Sequence, residues 1–100
     1  MDDKATYTVT DNKEYSQYQI SLPDDTAFIS YHLRNGNREL MHTEVPRQYE
    51  GKGLASTLAR FAFEDARQSG QKVVVYCPYL AAYLRKHPEY NDVVVAVRSE

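Results

Sequence analysis

Two glycines separated by one lysine, Gly51-Lys52-Gly53, stand between an alternating stretch and a run whose apolar residues recur with a helical period. Nothing else in the chain limits the fold as much. A strand has to end near residues 44–45, the backbone has to turn through conformations that glycine adopts most freely, and a helix has to begin at residue 54. At such a corner the first helical amides have no partner inside the helix, and the helix dipole adds partial positive charge. The corner therefore suits an anion, phosphate above all. Arg47 and Lys52 strengthen that sign, and Glu50 opposes it.

Before the corner the chain reads as strands. Residues 7–10 form a short β-like run, and Asp11-Asn12-Lys13 signals a turn. Residues 14–22 alternate, with Tyr18, Ile20 and Leu22 on one face. After the tight turn at Pro23-Asp24-Asp25, residues 26–34 alternate again and place Ala27, Ile29, Tyr31 and Leu33 together. Asn35-Gly36 is a hairpin signal, because both residues tolerate positive φ, so residues 38–45 should pair antiparallel with the strand before them.

After the corner the period changes. Over residues 54–69 a helical stripe collects Leu54, Ala55, Leu58, Ala59, Phe61, Ala62 and Ala66, with Asp65 as an exception inside it. Gly70 ends this helix, and residues 72–76 form a buried strand. The intervening helix predicts that this strand lies parallel to the one at 38–45. Cys77 would cap a second helix over residues 78–86, opened by Pro78 and stopped by Pro88. Residues 92–97 are the last strand, most simply antiparallel at an edge or beside its predecessor. The expected fold class is α/β (α+β): one domain over residues 1–100, with a mixed, mostly antiparallel twisted sheet and two main helices.

Composition excludes several function classes. One cysteine makes no internal disulfide, and no Cys/His cluster has zinc spacing, so no metal is expected. Basic residues are scattered rather than banked, which gives a nucleic-acid partner little support. No apolar run approaches the roughly 18 residues of a membrane span, and the start lacks a signal peptide's apolar segment, so a cytoplasmic location is the default expectation. The oligomeric state is not written in these residues, and a monomer is compatible with them.

The spacing around the glycines separates the phosphate-binding classes. A P-loop fails, since the first glycine and the Ser or Thr after Lys52 are both missing. A dinucleotide fingerprint is weak, with Ser56 at the third glycine position and Gln71 and Lys72 where an acid is needed. Gln48-x-x-Gly51-x-Gly53 instead resembles the pyrophosphate loop of the GNAT acyltransferase superfamily. The neighbours Val45-Pro46 and Leu54-Ala55, the run from Val73 to Cys77-Pro78-Tyr79, and His87-Pro88-Glu89-Tyr90 resemble its small single-domain N-acetyltransferase-like members.

The resemblance implies a minimal GNAT-like fold and acetyl-CoA or coenzyme A as cosubstrate. It nominates Val45, Gln48, Gly51, Lys52, Gly53, Leu54 and Ala55 for cofactor binding. A glycine turn that merely starts a helix would read alike locally. Transfer to an amine further requires a polarised thioester, a neutral amine and an acid for the leaving thiolate. Cys77 at a helix N-cap is a candidate nucleophile, or else a small buried apolar side chain. His42 and Glu44 share a strand face and could take the amine's proton, or could be ordinary hydrogen-bonded residues.

The family's acid is a tyrosine in the second helix, and here Leu84 stands at its place. Tyr79 is the candidate in its stead, and packing is the default for Tyr83 and Tyr90. Two functions follow: an acetyl-CoA-dependent N-acetyltransferase acting on an unidentified amine or protein acceptor, or a non-catalytic CoA or acyl-CoA binding module serving as sensor or subunit.

Overall fold

The computed structural model describes residues 7–98. Six strands form one sheet in chain order: β1 (Thr10–Asn12), β2 (Gln17–Ser21), β3 (Thr26–Arg34), β4 (Asn37–Glu44), β5 (Lys72–Val75) and β6 (Val94–Val97). The first four are antiparallel neighbours, each reached by a short turn. Asn35 and Gly36 at the β3–β4 hairpin have φ of 56° and 80°, as a two-residue turn of this twist requires. The helix α1 (Leu54–Ser69) returns the chain so that β5 pairs parallel with β4, and Gly70 closes the helix in the left-handed region at φ 73°.

Four local expectations are corrected. β6 lies beside β5 but parallel to it, with Val73 opposite Val94 and Val75 opposite Val97. The helix α2 (Pro78–Lys86) and the 3-10 stretch Pro88–Val93 carry the chain back along the sheet, and a strand reached by such a crossover repeats its predecessor's direction. Asp11 and Asn12 belong to β1 rather than to a turn, because the Asp11 carboxylate accepts the Tyr31 hydroxyl from two strands away. Leu33 is 62% exposed: it stands near the hairpin tip, opposite Arg38. Phe63, outside the anticipated stripe, is fully buried because it stacks on Tyr83 and Tyr90, with centroids 6.1 and 5.3 Å away.

The core joins Tyr18, Ile20, Ala27, Ile29 and Leu40 of the sheet to Leu54, Leu58, Ala62 and Phe63 of α1 and to Leu80 and Leu84 of α2. Asp65, the charge inside the helix stripe, has a partner here. Its carboxylate accepts from the buried Arg38 guanidinium and, at 3.0 Å, from the Tyr18 hydroxyl. Gln71 holds the Arg38 Nε, so this buried cation is paired and hydrogen-bonded on several sides. Among the described residues no helix is long and apolar enough to cross a membrane.

Two irregularities prepare the site. In β4, His42 opposes Ser30 while Leu40 opposes Tyr31, which leaves Met41 as an extra residue and bends the strand. Pairing between β4 and β5 then stops: the last contacts are Leu40 opposite Val75 and the Tyr76 amide donating to the Leu40 carbonyl at 2.9 Å. β4 stays paired with β3 as far as Glu44 opposite Phe28. Its other edge, over residues 41–44, has parted from β5.

Candidate functional site

The corner after β4 is built by main chain. A 3-10 turn, Arg47–Tyr49, is closed by the Tyr49 amide donating to Pro46 at 2.9 Å and the Glu50 amide donating to Arg47 at 3.1 Å. Asp24, in the β2–β3 turn, braces it by accepting from Gln48 Nε2 and from the Tyr49 hydroxyl, both at 3.2 Å. Gly51 and Gly53 follow with φ of 82° and 84°. A Cβ added at either would meet no heavy atom within 4 Å, so the backbone dihedral rather than crowding requires glycine.

The amides beyond them are open. Thr57 makes the first helical bond, its amide donating to the Gly53 carbonyl at 3.0 Å. The Ser56 and Thr57 hydroxyls donate back to that same carbonyl at 3.2 and 2.8 Å, no side chain of the described residues caps the helix, and no acid stands in its first turn. Among the described residues, no acceptor meets the amides of residues 51–56. Together with the positive end of a 16-residue helix, they form a cradle for an anion.

Two adjoining cavities lead from the cradle to the parted strands. The first, about 270 Å³, is lined by Gly51, Gly53, Leu54, Ser56 and Tyr49. The second, about 360 Å³, is lined by His42, Thr43 and Glu44. Val45, Glu50, Ala55 and Tyr79 line both, so the path is continuous. Of the residues nominated from sequence, Val45, Gly51, Gly53, Leu54 and Ala55 stand on its walls. Lys52 is exposed beside it, and Gln48 is turned toward Asp24.

The chemical groups gather at the far end. His42 Nε2 and Glu44 Oε1 lie 3.1 Å apart with side chains 63% and 58% exposed, placing an imidazole beside a carboxylate on the wall of the second cavity. Cys77 is 4% exposed, and its Sγ is 3.3 Å from the Thr43 hydroxyl, a contact that bridges β4 to the N-cap of α2. Tyr79 is 39% exposed. Burial first, and then the neighbouring Cys77 thiol, push its hydroxyl above the usual phenol range, so it is protonated and able to donate at neutral pH. Tyr83 and Tyr90 are buried in the aromatic stack with Phe63. Among the described residues, no group of three or more His, Cys, Asp or Glu is arranged to hold a metal ion.

The profile of the GCN5-related N-acetyltransferases matches residues 17–93. The chain belongs to this family. The match runs from the start of β2 to the end of the 3-10 stretch before β6, so it covers the cradle and the parted strands alike.

Among its relatives, Protein NATD1 of Mus musculus is 36% identical over 84 residues, covering 80% of this chain and 76% of that one. Protein NATD1 of Xenopus tropicalis is 28% identical over 91 residues, covering 88% and 84%. The solution NMR structure of a GCN5-like protein from Staphylococcus aureus superposes with a TM-score of 0.70 at 22% identity, covering 90% of this chain and 89% of that one. That likeness fixes the fold: a mixed six-stranded, mostly antiparallel sheet with helices, as in the family.

Several wall residues of this GCN5-related chain escaped the sequence reading. Thr43 carries no signal as a threonine within a strand; only the bend at Met41 and the parting of β5 bring it to Cys77. Tyr49 and Ser56 were legible only as neighbours of the glycines. Asp24 lies far away in sequence, and its bracing role follows from tertiary contact alone.

Proposed function

We propose that the protein transfers the acetyl group of acetyl-CoA to an amine. The observation that carries this is the run of unengaged amides at residues 51–56, opening onto a path that ends where β4 and β5 part. In this reading the amides hold the diphosphate and the thioester end of the cosubstrate reaches toward Tyr79 and Thr43. The acceptor nitrogen attacks the thioester carbonyl carbon, and the C–N bond forms as the C–S bond breaks. The departing thiolate takes the Tyr79 hydroxyl proton, and the proton lost by the amine goes to the His42–Glu44 pair. Direct transfer is favoured over an acetyl-cysteine, because Cys77 is buried and engaged with Thr43. Glu44 and Glu50 on the walls suit an acceptor that arrives as an ammonium and sheds one proton to bulk water before it attacks, and the proton that passes to the His42–Glu44 pair is the second, lost as the C–N bond forms.

One observation favours a second reading, a module that binds CoA without turnover. β2 and β3 are joined by a tight turn, with the Leu22 amide donating to Asp25 at 2.9 Å, so among the described residues no helix stands between these strands on the acceptor side. An NMR titration with CoA should shift the amides of residues 51–56 first. Free amines, polyamines and lysine peptides should then be screened with acetyl-CoA for release of free thiol. Amide shifts without release on any acceptor would favour the module; unmoved amides would remove both readings.

A further inference from the structure

Glu50 is out of place beside an anion cradle. It directly precedes Gly51, where the open amides begin, and it lines both cavities of the path. Its side chain is exposed and, among the described residues, in no ion pair, although Arg47 and Lys52 are close in sequence. With a diphosphate seated on the amides, Glu50 adds a like charge next to it. A cation at this point would answer both.

The second cavity indicates where that cation comes from. Glu44 and Glu50 both line it, and no lysine or arginine does. Glu44 stands with His42 at the end where the acceptor nitrogen reacts, whereas Glu50 stands where the two cavities adjoin. The half-buried side chains of Val45 and Ala55 share these walls, as does Tyr79. Two carboxylates on a wall with apolar side chains match a chain of methylenes that carries a positive charge at each end: the methylenes leave water against Val45 and Ala55, and each charge meets a carboxylate.

We infer that the acceptor is an alkyl amine bearing a second cation a few methylenes from the reacting nitrogen, and that Glu50 is the residue that selects it. The reacting amine lies beside His42 and Glu44, and the second cation sits against Glu50, next to the bound diphosphate. A free diamine and a pair of neighbouring lysines on a peptide both present this chemistry. The inference rests on the amine-transfer reading of the preceding subsection.

Thiol release from acetyl-CoA, at low ionic strength so that an exposed charge contact is not screened away, tests it. One arm compares 1,4-diaminobutane with butylamine; the other compares a peptide holding two successive lysines with one in which norleucine replaces the second. Each pair yields a ratio of KM values. The basicity of the amines and the number of reactive ends are the same for every protein variant, so a change in the ratio isolates the residue replaced. Glu50→Gln should reduce the advantage of the dication about fivefold, the upper end for one exposed ion pair, through KM with kcat held. The arm that shows the larger reduction identifies the source. Glu14→Gln, removing an exposed carboxylate outside both cavities, should leave the ratios unchanged. Calorimetry should show CoA alone binding Glu50→Gln about threefold more tightly, since a like charge is gone. Ratios that Glu50→Gln leaves unchanged in both arms, or a CoA affinity that it fails to raise, overturn this inference while leaving amine transfer standing; no thiol release with any of the four acceptors overturns it together with the reading it rests on.

Discussion

Gly53 and Gly70 allow a controlled test of the cradle. They flank the same helix, with φ of 84° and 73° and ψ of 11° and 16°, and at neither would an added Cβ meet an atom within 4 Å. Alanine at either position therefore brings no clash and carries the same backbone strain, about 1–2 kcal/mol for a left-handed residue other than glycine. In a chain of 100 residues that is a fall in melting temperature of about 4–8 °C per kcal/mol. The two variants should lose similar stability. They should differ in binding, because Gly53 sits among the open amides and Gly70 closes the other end of α1. Alanine keeps its own N–H, but relief of its left-handed strain turns the peptide units of the corner away from an anion, and loss of one amide-to-phosphate bond is about 1.5–3 kcal/mol, or ten- to a hundredfold in Kd. Calorimetric titration with CoA should show that loss for Gly53→Ala and none for Gly70→Ala. Equal affinities in two equally destabilised proteins would refute the assignment of the diphosphate to this corner.

Tyr79→Phe should lower the rate of thiol release by about a hundredfold while CoA still binds, since the proton donor is lost and the walls remain. Cys77→Ala should retain turnover, and intact-mass measurement of the wild type with acetyl-CoA should find no acetyl adduct; an adduct would restore the covalent route. Asp65→Ala strands the buried Arg38 guanidinium and should cost about 3 kcal/mol in urea unfolding. Alkaline pH should destabilise the fold: Tyr18, Tyr31 and Tyr90 are all held above the usual phenol range chiefly by burial, Tyr90 at about 12. A group whose folded value is raised contributes fully below its unfolded value, about 10, and loses that contribution as pH climbs through the folded one. Melting temperature should therefore hold to about pH 10 and then fall, and less steeply in Tyr90→Phe.

What was legible in the sequence is what local physics dictates. Asn35-Gly36 and Gly70 announce positive φ, Pro78 after Cys77 announces a helix start, and the change of period at Leu54 marks α1 to the residue. The direction of β6 was not legible, because its short β-branched run carries no orientation and only the crossover through α2 supplies one. Asp11 and Asp65 each defied a local rule, a turn residue in a strand and a charge in an apolar stripe, and each is explained by a partner distant in sequence. The glycines and Val45, Leu54 and Ala55 could be nominated because their pattern is contiguous. The meeting of Thr43 and Cys77 could not, because it depends on one additional residue at Met41 and on where two strands cease to pair.

A sheet that comes apart along one seam is an unfinished object. From Met41 to the end of β4, the strand pairs with β3 on one side and, among the described residues, with no strand on the other. A ligand that paired with this edge would bind the folded protein and not the unfolded one, so its occupancy would add to thermal resistance. The heat tolerance of this small protein should follow the concentration of its guest, and a simple melting curve can serve as the gauge by which unknown guests are found.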